Sequence, residues 1–248
     1  MPANYIHYNT LILVSSTFIN LTNLPLWLSL FFYYNLIIMK INLPNTIPIF
    51  PLSGVIFFPQ TNLPLNIFEP RYLTLVNDCI KSNKYMGMIQ SKKNTSDVYS
   101  VGCLGKITEH KKTKDGRMLV NLTGISRFEI NTEINNDKIY REFEVSYKRF
   151  SEDQELENKQ TIIAENIKRI FEKTKLFFQR NGLLLNWAEF EKLDENQKIN
   201  TLAMIAPISN QEKQMILESV HADSKIKVLS KIIDFYLHEN YLNKITLQ

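Results

Sequence analysis

The residue types that most often carry enzyme chemistry form no recognised motif in this sequence. A nucleotide-binding P-loop needs G-x-x-x-x-G-K-[ST]. The only Gly-Lys pair, Gly105-Lys106, is followed by Ile107, and Ser100 stands where the first glycine should be. The G-x-G-x-x-G dinucleotide fingerprint and the G-x-S-x-G nucleophile motif of hydrolases do not occur either. We therefore expect a protein that is not an enzyme and that carries no cofactor.

Histidine and cysteine are too few and too scattered to predict a metal site. The four histidines are His7, His110, His221 and His238. None belongs to an H-E-x-x-H motif, and the separation of Cys103 from His110 is not typical of zinc ligands. Cys79 and Cys103 are the only cysteines, which excludes a disulfide framework and fits a reducing compartment.

A group of cations surrounds one predicted β-turn, and we call this segment the basic hairpin. Its members are Lys106, Lys111, Lys112, Lys114 and Arg117. Such a group could hold phosphates, which would make the chain an RNA-binding protein that uses the region around Lys111. It is also typical of a solvated hairpin tip, where lysines discourage pairing between sheet edges. No interleaved aromatic pair is present to stack bases, so nucleic acid is not the expected partner.

The most distinctive local cluster is Glu69-Pro70-Arg71-Tyr72. Proline is favoured at the first position of a helix, so Pro70 predicts a helix start. A carboxylate is stabilised at that end of a helix, which suits Glu69. Arg71 would pair with Glu69 or reach a neighbouring strand. We therefore predict a structural role for Glu69, Pro70 and Arg71 at a strand–helix junction.

Aromatic residues near this cluster have two interpretations. They are Phe57, Phe58, Phe68 and Tyr72. They lie beside a proline-rich stretch whose backbone cannot pair fully in a sheet, so they could line an apolar groove that binds a peptide. The other interpretation is that the same rings pack in the core.

The elements that must position these residues fall into two regions. With 44% hydrophobic and 22% charged residues, the chain is typical of a globular protein. Between about 47 and 150, short alternating runs predict six strands and one helix, with a hairpin turn at Asp115-Gly116 and another turn at Thr123-Gly124. This pattern favours a small mixed barrel. From about 154 to 241, apolar spacing predicts four or so helices, packed as a bundle or against the barrel.

Two helix starts in the second region carry capping boxes. They are Asp194-x-x-Gln197 and Ser209-x-x-Glu212, with Pro207 between the two helices.

Residues 1–38 contain no Lys, Arg, Asp or Glu, whereas every formal charge lies from Lys40 onward. A secretory signal is excluded because a basic start and a small-residue cleavage site are both absent. Three interpretations stay open: a mis-set translation start before Met39, a membrane anchor formed by residues 11–38, or an extra packed element. If the anchor spans, Lys40 favours a cytoplasmic body.

Residues 50–80, FPLSGVIFFPQTNLPLNIFEPRYLTLVNDCI, resemble the opening of the Lon protease N-terminal (substrate-binding) domain. The resemblance continues through Gly87-Met88-Ile89, residues 101–107 and Asp115-Gly116-Arg117 to residues 122–128, in family order and spacing. It extends to about 245, because LAMIAPISNQEKQMILE also looks like the family's helical half.

The resemblance implies an α+β protein, a PUA-like β pseudo-barrel followed by a C-terminal helical bundle. The expected domains are an extension over 1–38, the β domain over 39–150 and the helical subdomain over 151–248. The chain looks like the stand-alone bacterial members of the family, without ATPase or protease domains. We therefore expect a cytoplasmic protein that binds unfolded or hydrophobic polypeptides, as an adaptor in protein quality control that works with a separate protease.

Overall fold

The computed structural model describes residues 11–14, 17–20, 42–93, 95–154 and 164–245. The chain divides into two compact units, Met1–Leu43 and Pro44–Gln248. In the first unit, strands β1 (Leu11–Val14) and β2 (Thr17–Asn20) pair antiparallel. The rest of segment 1–38 lies outside the described residues, so the three interpretations of that segment stay predictions. Among the described residues, no helix is both long and apolar enough to cross a membrane.

The second unit begins with a six-stranded sheet. Its strands are β3 (Thr46–Leu52), β4 (Asn62–Ile67), β5 (Tyr85–Gln90), β6 (Val101–Lys112), β7 (Met118–Ile134) and β8 (Arg141–Ser146). The order is β4-β7-β6-β5-β3-β8, and β7 also pairs with β8. Five strands therefore close into a ring, as the predicted mixed barrel requires, and β4 lies outside the ring on β7.

Strand β7 closes the ring because it is long enough to pair with three other strands. Its first residues pair with β4, its last residues pair with β8, and β6 runs along most of its length. The predicted turn at Thr123-Gly124 is wrong, since the chain continues as one strand through both residues. A side chain at Gly124 would overlap the carbonyl oxygen of Phe58. This glycine therefore permits a close backbone approach instead of making a turn.

The helix predicted at Pro70 is α1 (Pro70–Lys81), with Pro70 in its first turn and Glu69 as the N-cap residue. Its buried stripe is Tyr72, Leu75, Val76 and Cys79. These side chains join an apolar cluster with strand residues such as Met86 and Leu122. Helix α1 thus covers one face of the sheet.

The C-terminal part of the unit is helical. After a 3₁₀ segment at Lys148–Gln154, the helices are α2 (Ala164–Arg180), α3 (Trp187–Glu191), α4 (Glu195–Ile205), α5 (Asn210–Glu218) and α6 (Ala222–Ile245). Both predicted capping boxes are confirmed: Asp194 with Gln197 opens α4, and Ser209 with Glu212 opens α5.

The helices pack against the barrel and do not form a separate bundle. Phe58, Val101 and Phe150 from the strand region belong to the same apolar cluster as the buried faces of α2, α4, α5 and α6. Removing apolar surface from water on this scale is the main favourable contribution to folding. The strand and helical regions therefore share a second core in addition to the cluster covered by α1.

One buried arginine connects the two regions by hydrogen bonds. Arg127 lies on β7 and is about 1% exposed. Its Nε and Nη2 donate to the two oxygens of Asp153, each at 2.8 Å, and its backbone N–H donates to the same carboxylate at 2.9 Å. Nη1 donates to the carbonyls of Leu217 and Ser219, and Nη2 also donates to that of Val220.

All five guanidinium N–H groups of Arg127 therefore have acceptors. Three of these acceptors are carbonyls at and just beyond the C-terminal end of α5, where the helix dipole favours a cation. The guanidinium also lies over the ring of Phe150, 4.3 Å from its centroid. A lysine could not replace it, because only the planar fork of arginine reaches this set of acceptors.

We expect Arg127→Met to lower the free energy of unfolding by about 3–5 kcal/mol, because the Asp153 carboxylate would stay buried without its cation. Urea denaturation followed by circular dichroism measures the loss. Arg149→Met is the matched control. Arg149 also lies over the Phe150 ring and pairs with Glu129, but this pair is exposed and contributes at most about 1 kcal/mol. Equal losses in the two variants would contradict the assignment.

Candidate functional site

The structure does not bring the four predicted aromatic side chains together on one surface. Phe57 and Tyr72 are buried in the cluster covered by α1, and Phe58 is buried in the cluster shared with the helices. Phe68 alone of the four is exposed, with 65% of its surface accessible. Adjacent residues point to opposite sides of an extended chain, which sends Phe57 and Phe58 into different cores.

The Glu69–Arg71 pair lies where β4 meets α1. Arg71 Nε donates to Glu69 Oε2 at 3.0 Å, and its guanidinium lies 4.5 Å from the centroid of the Tyr72 ring. The backbone carbonyl of Glu69 accepts the N–H groups of Tyr72 and Leu73, which begins the helix. The side-chain pair is about half exposed. We therefore expect it to orient the junction while contributing little to stability.

A shallow groove of about 660 Å³ lies on the outer face of β4, β7 and β6. We call it the β4 groove. Its wall includes Pro64 and Leu65 of β4 and Lys111 of β6, and Leu119 of β7 lies between these strands. Leu119 is 44% exposed although it belongs to the middle strand of the three. In register, Leu119 stands opposite Asn66 on one side and Lys111 on the other.

Phe68 follows β4 directly in sequence, and its side chain is exposed. Along β4 the exposed positions alternate with buried ones: Leu63 and Ile67 are buried, whereas Pro64 and Asn66 are exposed. Phe68 continues this outward series just beyond the end of the strand. Phe68 and Leu119 are two of the exposed large apolar side chains of the described residues, and each would lose apolar surface to a partner that covers it.

The backbone of β4 has one free edge within the described part of the chain, since β7 is its one partner there. The carbonyl of Thr61 accepts the N–H of Gly124 at 2.9 Å. In an antiparallel pair, alternate residues direct their backbone groups toward the partner strand. Asn62, Pro64 and Asn66 therefore direct theirs away from β7. Because Pro64 has no N–H, this edge offers an interrupted series of donors.

The cations of the basic hairpin do not form one patch. Lys111, Lys112 and Lys114 are exposed near the tip, whereas Lys106 lies several residues away along β6 with its ammonium group 5.6 Å from the centroid of the Tyr85 ring.

Arg117 is paired within the turn, because its Nε donates to Asp115 at 2.7 Å. This hydrogen bond, followed by one from Thr113, lowers the pKa of Asp115 to about 2. The turn therefore carries a carboxylate among its cations at neutral pH, which weakens the case for a phosphate-binding surface.

The described residues contain no group of His, Cys, Asp and Glu that could hold a metal ion. Both cysteines are buried, and burial raises the pKa of Cys79 to about 12 and that of Cys103 well above its ordinary value. Neither thiol is therefore activated as a nucleophile, since reactivity needs the thiolate.

Similarity to known proteins is extensive over the second unit. A family model described as the ATP-dependent protease La (LON) substrate-binding domain matches residues 46–234. The Lon protease of Desulfosudis oleivorans is 24% identical over 203 residues, which cover 79% of this chain and 24% of that protein. The Lon protease of Endomicrobium trichonymphae is 25% identical over 198 residues, which cover 77% of this chain and 24% of that protein. The chain thus spans about a quarter of the length of these curated relatives.

Two solved structures share the fold. The Lon N-terminal domain protein from Xanthomonas campestris superposes with a TM-score of 0.53 and 21% identity, covering 76% of this chain and 98% of that one. The N-terminal domain of the Mycobacterium avium complex Lon protease superposes with a TM-score of 0.55 and 16% identity, with the same coverage. Because the family model matches about three quarters of the sequence, the conclusion is direct: this chain belongs to the family of Lon substrate-binding domains.

Proposed function

We propose that this chain is a non-enzymatic protein of the bacterial cytoplasm that binds unfolded or hydrophobic polypeptide segments. Family membership supports a substrate-binding role. The observation that carries the proposal is the free edge of β4 beside the exposed side chains of Phe68 and Leu119. We further propose that it serves as an adaptor that presents bound segments to a separate protease, since a domain that binds substrates can deliver them to another protein.

The binding mode that fits this surface is addition of a strand to β4. An extended segment would accept hydrogen bonds from the N–H groups of Asn62 and Asn66 and donate to the outward carbonyls of Asn62, Pro64 and Asn66. Backbone hydrogen bonds of this kind give affinity without demanding a particular sequence, which suits recognition of unfolded chains. Apolar side chains of the segment would pack against Pro64 and Phe68, with Leu119 one strand further in.

Pro64 limits this interaction. The carbonyl of the bound segment that faces Pro64 finds no donor, so the backbone ladder stays short. A short ladder and a few apolar contacts are expected to give micromolar affinity, equivalent to about 8 kcal/mol. The interrupted edge also protects the protein from pairing with copies of itself, because edge prolines discourage strand association.

We expect Phe68→Ser to weaken binding of a reduced and alkylated model protein about five- to tenfold, because roughly 1 kcal/mol of apolar burial would be lost. Fluorescence anisotropy of the labelled model protein measures the affinity. Phe235→Ser on α6 is the matched control, since Phe235 is a similarly exposed phenylalanine (57%) remote in sequence from the groove. Unchanged affinity in Phe68→Ser, or an equal loss in both variants, would rule out the β4 groove as the site.

Pro64→Ala is expected to tighten the same interaction about fivefold, because the new N–H supplies a hydrogen bond worth about 1 kcal/mol to the bound strand. The same anisotropy titration measures this gain. Pro207→Ala, between α4 and α5, controls for the general effect of losing a proline. If Phe68→Ser weakens the affinity but Pro64→Ala leaves it unchanged, the polypeptide binds through side-chain contacts and does not add a strand to β4.

Salt separates polypeptide binding from the RNA-binding alternative. Apolar and backbone contacts change little with ionic strength, whereas phosphate contacts through Lys111 and its neighbours weaken steeply as salt rises. Titrations of the protein against the unfolded model protein and against a structured RNA, at low and high salt, make the comparison. Salt-sensitive binding of RNA together with no binding of the unfolded protein would overturn the proposed function.

A further inference from the structure

Successive residues of β4 offer different contacts to a chain that adds along its free edge. The carbonyl of Thr61 accepts a hydrogen bond from β7, and alternate residues of an antiparallel strand direct their backbone groups to the same side. The backbone groups of Leu65 therefore point to β7, whereas those of Pro64 and Asn66 point to the free edge. An added strand would meet the backbone at Pro64 and Asn66 but the side chain at Leu65.

Leu65 also keeps apolar surface that an added strand can cover. Leu63 and Ile67 lie on the same face of β4 but are 7% and 2% exposed, so the protein itself already covers them. Leu65 is only partly buried, packed against the cluster under α1. Covering the rest of its surface would stabilise a complex through apolar burial.

Strand geometry would place one side chain of the added strand directly against Leu65. In an antiparallel pair, residues whose backbone groups point away from each other form the narrow pair, with Cα atoms about 4.5 Å apart. Leu65 would take this position because its backbone groups are already directed to β7. Side chains in such a pair approach closely, so an apolar side chain is favoured opposite this leucine.

The two neighbouring positions of the added strand have a different requirement. The residue opposite Asn66 would exchange two backbone hydrogen bonds with it, and the residue opposite Pro64 would donate its N–H to the Pro64 carbonyl. Their side chains would lie on the exposed face of β4, which tolerates polar groups. A proline at either position would remove a donor, whereas a proline opposite Leu65 would not.

The edge that can be extended in this way is short. Strand β4 has six residues. Gln60 has a positive φ of 60°, which takes the chain out of the extended conformation just before β4, and α1 begins at Pro70 just after it. The bound segment is therefore short as well, and one side chain opposite Leu65 is enough to set its register.

Given the proposed binding of polypeptides at this edge, on which this inference rests, we propose that β4 selects short extended segments that add antiparallel and place one apolar side chain opposite Leu65. The residues on either side of that side chain can be polar, provided that neither is proline. Antiparallel addition matches the pairing of β4 with β7 and is slightly more stable per residue than parallel addition. The substrate class is thus a single apolar residue within a polar, extended stretch and not a continuous apolar run.

N-methyl scanning of a bound peptide tests the register and the direction. The probe is a fluorescent host peptide of polar residues with one central isoleucine, titrated against the unaltered protein by anisotropy. N-methylation of either residue beside the isoleucine should weaken binding about fivefold or more, because it removes a backbone hydrogen bond to β4. N-methylation of the isoleucine itself should change the affinity less than about twofold, because its N–H points away from β4.

The other outcomes of this scan contradict the proposal in different ways. A loss at the isoleucine but not at its neighbours would mean parallel addition and would overturn it. Peptide binding without any dependence on position would overturn it but leave polypeptide binding intact, as would binding of a reduced and alkylated model protein without binding of the peptide. Failure to bind either the peptide or the model protein would overturn the proposed function as well.

Leu65→Ala tests the side-chain contact. The unaltered protein should bind the isoleucine peptide about fivefold more tightly than a matched peptide with serine at that position, and Leu65→Ala should reduce this ratio to about twofold or less. Comparing two peptides on one variant cancels any loss of folded protein. Leu52→Ala is the matched control, because Leu52 is also partly buried against the same cluster but lies on β3, which is not next to β4 in the sheet. An unchanged ratio in Leu65→Ala, or an equal loss in both variants, would overturn the role of Leu65.

Discussion

The hydrogen bonds of one buried guanidinium group connect the two halves of the second unit. Arg127 extends from the strand that closes the barrel, and its acceptors lie on the 3₁₀ segment and at the end of α5. A buried charge needs a full set of partners, and here each partner also fixes the position of a different element. The apolar core shared by barrel and helices provides stabilisation without direction, whereas the Arg127 contacts set the orientation in which the surfaces meet.

Closure of the barrel determines where a partner can bind. Five strands form backbone hydrogen bonds with one another in a closed ring. Strand β4 pairs with β7 outside this ring and has a free edge in the described part of the chain. The same arrangement places Leu119 in the middle of an exposed three-stranded face, because Met118, Val120 and Leu122 are buried on the opposite face of β7. The exposed apolar residues therefore follow from strand alternation and ring closure together.

The contact between barrel and helices also concentrates buried charge. Arg127, Asp153, Glu152 and Lys225 all line one small cavity, so two cations and two carboxylates meet at the boundary between the barrel and the helices.

Short-range features of this protein were predictable from its sequence because they depend on neighbouring residues. The start of α1 at Pro70, the two capping boxes and the hairpin turn at Asp115-Gly116 involve contacts over two to four residues, which residue type and spacing largely specify. The strand and helix regions followed from their hydrophobic periods. The family was recognisable from its motif residues. Arg127 is one of them, but the motif alone did not indicate that its side chain connects the barrel with the helices.

Only the tertiary structure decided which residues meet. Alternation places Phe57 and Phe58 on opposite sides of the chain. The sequence does not indicate that the cluster under α1 covers one side and the C-terminal helices cover the other, which leaves Phe68 as the exposed one of the four rings. Thr123-Gly124 has the composition of a turn, yet β7 continues through it because the backbone at Phe58 packs against Gly124. Arg127 meets partners 26 to 93 residues away. Such contacts depend on how the ring closes and how the helices pack on it, and local residue preferences carry no information about either.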